Sequence, residues 1–355
     1  MKRRRMIVCG LCIAAILCCM VFSSCGTETE PFSSHFFEYF DTVTTVTGYA
    51  ADRAEFDRVC GEIRHVLAEY HRLFTIYEGY EGVENLHTLN LRGESQPISV
   101  DGRIIEMLLY AKEMYRKTDG HMNVAMGSVL SIWHDYREAG MNDPKNASLP
   151  PMERLLQASA HCNIDDVLID TENGTVMLAD PEMMLDVGAI AKGYAVEMAA
   201  RMLEERGITG YVINVGGNVR TVGTKADGAD WIVGIENPED DGAHPYLAIL
   251  QLSGESLVTS GSYQRYYTVG GKKYHHIIDP GTLMPAEGYL SVSVVCRNSA
   301  EGDALSTALF CMSPDEGMAL VQGLDGVEAM WVFSGGEIRY SDGFSSYLQS
   351  GKMPS

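Results

Sequence analysis

The chain is poor in positive charge. Its 27 lysines and arginines stand against 48 aspartates and glutamates, a formal net charge of −21 at pH 7. That balance disfavours a nucleic-acid partner, because binding to a phosphate backbone runs on cationic side chains. Clustered cysteines are also missing from the body. Of nine cysteines, five lie at or before Cys25, and Cys60, Cys162, Cys296 and Cys311 are far apart. With no CxxC in the body and no short ligand spacing, zinc, iron–sulfur and a disulfide scaffold are all disfavoured. The four read instead as small hydrophobes, Cys162 in SAHCNIDD being the one expected nearest the surface. No HxH or HxxxH pair occurs, so a two-histidine metal site is disfavoured as well. GxGxxG and GK[ST] are absent, which removes the two common glycine-rich phosphate signatures. There is no internal repeat, low-complexity tract or clean linker, so one closely packed domain is expected.

What is present begins with a leader. Lys2, Arg3, Arg4 and Arg5 precede an apolar run from Met6 to Phe22. This reads as a secretory signal over residues 1–24, the run being short for a membrane-spanning helix. FSSC, ending at Cys25, resembles a bacterial lipobox. Cleavage before Cys25 would leave a diacylated cysteine, and two acyl chains give stable anchoring where one is marginal. Residues 25–38 would then be a lipidated cysteine and polar tether, and 39–345 a single domain. The expected location is that of an exported, membrane-anchored lipoprotein, at the outer face of the cytoplasmic membrane or in the periplasm. Loss of the four basic residues would take the formal charge from −21 to −25. An anionic ligand therefore needs local cations or a metal to offset the field of the body.

Periodicity predicts the elements. Residues 39–50 alternate like a strand, and 52–74 carry a helical stripe of Phe56, Val59, Ile63, Val66, Leu67 and Tyr70. A glycine-broken loop follows, then a helix over 101–117 ended by Gly120. Residues 125–149 are less periodic and read as a surface excursion, before a short helix near 151–160. Residues 165–181 read as a strand pair turning at Asn173-Gly174. A helix is expected to open at Asp186, and strands at 211–215, 231–235, 246–252, 256–260, 264–269 and 273–278. Two helices and a closing hairpin complete an α+β pattern with antiparallel sheet.

Four stretches carry polar groups in patterns that suggest chemistry. DVGAIAKGYA, 186–195, offers Asp186 as N-cap, small residues that let a ligand approach the backbone, and Lys192 at the positive helix end. A plain cap with a small-residue packing face accounts for it equally well. YVINVGGNVRTVG, 211–223, runs a strand into Gly216-Gly217, and a simple hairpin also explains it. Residues 256–286 are dense in Thr259, Ser260, Ser262, Arg265, Tyr266, His275, His276 and Asp279. The two histidines, adjacent on a strand, face opposite sides, so one of them with Asp279 could move a proton. In EGDALSTALF, Asp303 and Thr307 share a helix face and offer hard oxygens suited to Mg²⁺. A threonine bonded back to the preceding turn is the plainer alternative there.

Taken in order, DVGAIAKGYA, NVGGNV, TSGSYQRYY, HHIIDPGTLMPA and DALSTALF, with TDGHMNVAMG at 118–127, resemble the ApbE family of flavin transferases. The resemblance covers residues 39–340. It implies an α+β fold with FAD in a cleft between lobes, and Mg²⁺-dependent transfer of FMN from FAD to a threonine hydroxyl of an acceptor protein, with AMP released. Acceptors would be membrane-bound or exported redox proteins. Hydrolysis of FAD to FMN and AMP, and flavin binding without catalysis, are the alternatives. By resemblance, Asp303 and Thr307 would ligate Mg²⁺ by side chain and Ala189 by its carbonyl. Asp186 and Lys192 would contact the flavin nucleotide, as would Thr45, Tyr77, His121, Met122 and Asn123. His276 would sit beside the diphosphate or adenine. His276, Asp303 and Lys192 are the expected catalytic set. Two positions depart from the family pattern: Leu283 stands where glycine is usual, and Ser262 where aspartate is common.

Overall fold

Asp52 opens the first helix of the described residues. Its carboxylate accepts the Glu55 N–H at 2.9 Å, and α1 runs Arg53–Phe74 with Phe56, Val59, Ile63, Leu67 and Tyr70 buried along one stripe. The computed structural model describes residues 30–92, 96–239 and 244–349. The leader and Cys25 lie outside them. No helix of the described residues is long and apolar enough to cross a membrane.

The chain from Phe32 onward forms one compact unit. Its sheet starts with β1 (Phe32–Phe36) paired antiparallel to β2 (Thr44–Gly48). Residues 32–36 of the expected tether thus belong to the folded body, which begins before residue 39. The reason is the spacing of Phe32 and Phe36, which fall on one strand face, Phe32 packing against Phe56 at 5.5 Å. After α1 come α2 (Leu86–Arg92), β3 (Ile98–Ser99), α3 (Gly102–Lys117), α4 (Gly127–Asn142) and α5 (Met152–Ser159). The strands β4 (Val167–Asp170) and β5 (Thr175–Leu178) follow, then α6 (Ala191–Glu205), β6 (Tyr211–Val215) and β7 (Asn218–Val222). The second half holds β8 (Trp231–Glu236), β9 (Tyr246–Leu252), β10 (Ser256–Gly261), β11 (Tyr266–Val269), β12 (Lys272–His275) and β13 (Tyr289–Cys296). It closes with α7 (Ser299–Cys311), α8 (Pro314–Gln322), β14 (Glu328–Phe333) and β15 (Ile338–Tyr340).

Eight strands build the central sheet in the order β1-β2-β6-β7-β10-β13-β14-β15, with antiparallel neighbours throughout. This is the expected α+β architecture. Helices α1, α6 and α7 cover one face, and the β8–β9 hairpin covers the other through Ile235, Ala248, Leu250 and Leu252. Strand β7 is consequently buried along its whole length, as a strand covered on both faces must be. All four body cysteines are free; Cys60 and Cys296 are buried, while Cys162 and Cys311 are partly exposed.

Residues 127–142 are not a surface excursion but helix α4, with Val129, Ile132 and Trp133 buried in a third apolar cluster. Its helical signal is blurred at the start by Gly127, where a Cβ would stand 2.4 Å from the Met184 carbonyl oxygen. Close packing selects glycine there against its low helix propensity.

Leu283 joins the same cluster and adopts φ +59 while its side chain is buried. A left-handed conformation costs a non-glycine residue about 1–2 kcal/mol, whereas removing a buried leucine side chain costs about 2–5 kcal/mol. Burial therefore outweighs strain, and leucine is retained where the family pattern has glycine. The Leu283→Gly protein is expected to lose about 1–3 kcal/mol by urea denaturation; a gain would show that strain dominates.

Candidate active site

The turn before α6 does not use Asp186 as helix cap. Its Oδ1 accepts the Gly188 N–H at 2.8 Å, two residues on, and the N-cap is Ile190, with no side-chain cap bond. The helix proper begins at Ala191, so Lys192 is its second residue. The Asp186 N–H donates to the Val124 carbonyl at 2.8 Å. That bond draws the turn against the segment that carries His121, Met122 and Asn123.

Helix α7 then crosses α6 at close range. Asp303 is buried and its Oδ2 accepts the Gly193 N–H at 2.8 Å, while Oδ1 lies 3.5 Å from Lys192 Nζ. Burial raises the Asp303 pKa, opposed by the Lys192 ammonium and the Gly193 N–H. A lysine at the positive end of a helix needs an anion beside it, and the neighbouring helix supplies one in Asp303. Gly193 makes the crossing possible: a Cβ there would lie 2.2 Å from Ser299 O and 2.5 Å from Asp303 Cβ. Overpacking of this kind costs typically about 1–3 kcal/mol. The Gly193→Ala protein is expected to be destabilised by at least that amount in a urea titration, and an unchanged midpoint would contradict the crossing.

Thr307, one turn after Asp303, is half-buried with its Oγ1 3.5 Å from Ser260 Oγ, which also bonds Ser306 Oγ at 2.8 Å. Asn218, at the start of β7, hydrogen-bonds Asp303, yet its Oδ1 is buried without a partner. Thr307, Ser260, Asn218 and Asp303 line one cavity of about 420 Å³. Asp186, Ala189, Lys192, Asp303 and Thr307 are brought together in its wall, as are Tyr77, His121, Met122, Asn123 and His276.

The contributions of the second group differ. Asn123 is largely structural, accepting the Ala125 N–H at 2.9 Å and donating to Cys162 O at 2.9 Å. Met122 is buried in the main core. His121 leaves Nδ1 buried and unpartnered. Tyr77 is exposed and its ring packs on His134, 5.4 Å between centroids. Thr45 is not brought to the cavity wall: on β2 its Oγ1 lies 2.9 Å from His35 Nδ1.

His275 and His276 divide as strand geometry requires. His275 is buried, its Nε2 2.8 Å from Ala286 O. His276 faces the cavity with Nδ1 3.2 Å from Arg265 O. A carbonyl only accepts, so Nδ1 carries the proton and Nε2 keeps its lone pair. Burial first, then the Arg265 guanidinium, with smaller contributions from His275 and Arg137, push the His276 pKa down to about 3. Asp279 is not its partner: that carboxylate holds its own loop, accepting from Gly281 N at 2.9 Å and Thr282 Oγ1 at 2.8 Å. Ser262, where the family pattern often has aspartate, bonds Leu290 O at 3.2 Å and does not line the cavity.

Sequence reasoning missed Trp133, His134 and Arg137, which also line the cavity. They sit on α4, whose helical spacing was the only available signal.

A model described as the ApbE family matches residues 40–331. Among curated relatives, an FAD:protein FMN transferase of Treponema pallidum is 31% identical over 307 residues, 81% of this chain and 82% of the relative. One of Klebsiella pneumoniae is 31% identical over 273 residues, 74% of this chain and 81% of the relative. The crystal structure of an ApbE protein from Thermotoga maritima matches with a TM-score of 0.79 at 26% identity, covering 90% of this chain and 100% of that one. The cavity wall is drawn from motifs that fall within the matched residues, and the sheet with its helices has the same fold as that structure; the chain belongs to the ApbE family.

Proposed function

We propose that the chain is an FAD:protein FMN transferase, moving FMN from FAD to a threonine hydroxyl of an acceptor redox protein and releasing AMP. One observation carries this reading: two helices bring Lys192, Asp303 and Thr307 to one cavity wall, beside an unpartnered Asn218 acceptor. The donor set fits Mg²⁺. A carboxylate from Asp303, a hydroxyl from Thr307 and the carbonyl of Ala189 are hard oxygens, and Mg²⁺ is usually held by one or two carboxylates plus substrate phosphates and water. When bound there, the ion would neutralise charge on the diphosphate as the phosphorus–oxygen bond breaks.

The chain's own residues supply the rest. Lys192 adds a positive charge near the helix start, where backbone N–H groups also favour anions. His276, neutral and with Nε2 as acceptor, takes the proton of the attacking hydroxyl. A bound diphosphate offsets the guanidinium field that keeps this histidine a weak base, so substrate binding raises its basicity. The threonine oxygen bonds to the FMN phosphorus, the bridging oxygen leaves with AMP, and the proton goes to the histidine.

The acceptor is met outside the cytoplasm if Cys25 is lipidated after export, as the leader implies. Incubation with FAD, Mg²⁺ and an exported redox protein should put flavin fluorescence on the acceptor band and AMP in solution. Free FMN without labelled protein would assign the site to hydrolysis instead. Mass spectrometry of the mature N-terminus tests the anchor.

A further inference from the structure

Arg137 and Arg265 both line the cavity, one from α4 and one just ahead of β11. Each guanidinium is held by a neutral acceptor. Arg137 Nη2 donates to His134 Nδ1 at 3.0 Å, and the other ring nitrogen of His134 lies 3.3 Å from Glu138 Oε1. Arg265 Nη2 donates to the Asp41 carbonyl at 3.2 Å. That carbonyl sits in a strained turn: Phe40 and Asp41 adopt φ +57 and +49, and the Phe40 N–H is tied to His71 Nδ1 at 3.3 Å. Two consecutive left-handed non-glycine residues cost about 1–2 kcal/mol each.

Among the described residues neither guanidinium has a carboxylate within ion-pair distance, their side-chain bonds going to His134 and the Asp41 carbonyl, although Asp41 and Asp186 line the same cavity. Their charge is therefore oriented without a direct ion pair, Glu138 and Asp186 acting on Arg137 only from beyond that distance. Desolvation lowers the pKa of the half-buried Arg137 and Arg265 adds to the effect, opposed by Tyr77, Glu138 and Asp186, and both arginines depress the neighbouring His276. Arg137 is half-buried and Arg265 exposed, and facing two like charges into one cavity without a direct ion pair is unfavourable in a free protein. It becomes favourable when an anion completes the arrangement, and the planar fork of arginine suits phosphate oxygens.

We propose that Arg137 and Arg265 form a clamp for phosphoryl anions, holding the diphosphate of the dinucleotide and then the phosphate of the departing AMP. The clamp deepens the transferase reading and rests on it. It assigns α4 to the cavity as a phosphate-reading element, separate from the wall formed by Lys192 and Asp303. In a strongly acidic chain it also supplies local cations for an anionic substrate.

The test is calorimetric titration of wild type, Arg137→Gln and Arg265→Gln with inorganic pyrophosphate, AMP and riboflavin, without divalent ions. Each substitution should weaken pyrophosphate and AMP about tenfold to a hundredfold, the usual value of a charge-assisted bond. Riboflavin, which has no phosphate, should bind unchanged. Pyrophosphate and AMP affinities indifferent to both substitutions would overturn the clamp. So would an equal loss of riboflavin in a variant of unaltered melting temperature, which would place the arginines on the flavin ring. Should a glutamine variant be unstable, the Arg137→Lys/Arg265→Lys protein decides. Lysine keeps charge without the fork, so pyrophosphate affinity should stay within about tenfold of wild type; its abolition would overturn the proposal. A wild-type chain that labels no acceptor and binds no FAD would remove the transferase reading, whereas intact labelling with indifferent phosphate binding removes the clamp alone.

Discussion

Replacing Asp303 by asparagine is expected to reduce FMN transfer by about 10²–10³-fold or more, with no recovery at high Mg²⁺. The asparagine protein is the informative variant. Its amide oxygen can still accept the Gly193 N–H that Oδ2 accepts at 2.8 Å, so the α6–α7 crossing is preserved. What it loses is the negative charge. Lys192, 3.5 Å away, then faces a neutral group, and the hard-oxygen set of Asp303, Thr307 and Ala189 no longer contains a carboxylate. Asp303→Ala should be worse for stability as well as activity, because a buried N–H left without its acceptor costs about 1–3 kcal/mol. Melting curves of both variants separate the two effects. Near-normal transfer by Asp303→Asn would remove the metal site from the mechanism, whatever the stability of either protein.

The parts of the fold readable from sequence are those where one face meets the core and the other meets water. Helix α1 is an example, with Phe56, Ile63, Leu67 and Tyr70 on one stripe and a carboxylate at its cap. The β4–β5 hairpin is another, its turn set by Gly174 at φ +66. Elements covered on both sides were harder. Strand β13 has no clear sequence signal: it is buried almost throughout, and two of its buried positions are Ser291 and Ser293, Ser293 Oγ meeting Thr259 Oγ1 at 2.8 Å. Helix α4 reads as a surface excursion in the sequence because neighbouring backbone selects glycine at position 127.

The candidate site follows the same division. Asp303 and Thr307, four apart on one helix, were visible as a pair, and the order of motifs pointed to the family. Asp186 was read as a helix cap, but the helix starts five residues later, because the aspartate closes a tighter turn on Gly188. The bond from Arg265 O to His276 is a tertiary fact that spacing does not encode. Arg137 was out of reach once α4 had been missed.

His276 is the second residue whose loss should be severe. The His276→Ala and His276→Gln proteins are expected to transfer FMN about 10²–10⁴-fold more slowly, while FAD binding is retained. The argument is that the imidazole accepts a proton late in the reaction and contributes little to ground-state affinity. Its pH behaviour gives an independent check. A histidine whose pKa is pushed to about 3 is neutral throughout the physiological range. Because kcat/KM reports the free enzyme, His276 should contribute no acid limb at the ordinary histidine value of about 6.5. It would lose its base form only as pH falls toward about 3. The profile of kcat reports the substrate complex, where, on the proposed clamp, diphosphate beside Arg265 and Arg137 would offset the field that depresses the ring. An acid limb in kcat at higher pH than in kcat/KM is the expected signature of that offset. A limb near 6.5 in kcat/KM that vanishes in His276→Gln, with residual activity still measurable, would contradict the half-buried, guanidinium-flanked environment of the ring. Loss of FAD binding with an unchanged turnover rate would instead make His276 a contact residue and leave the hydroxyl without its base.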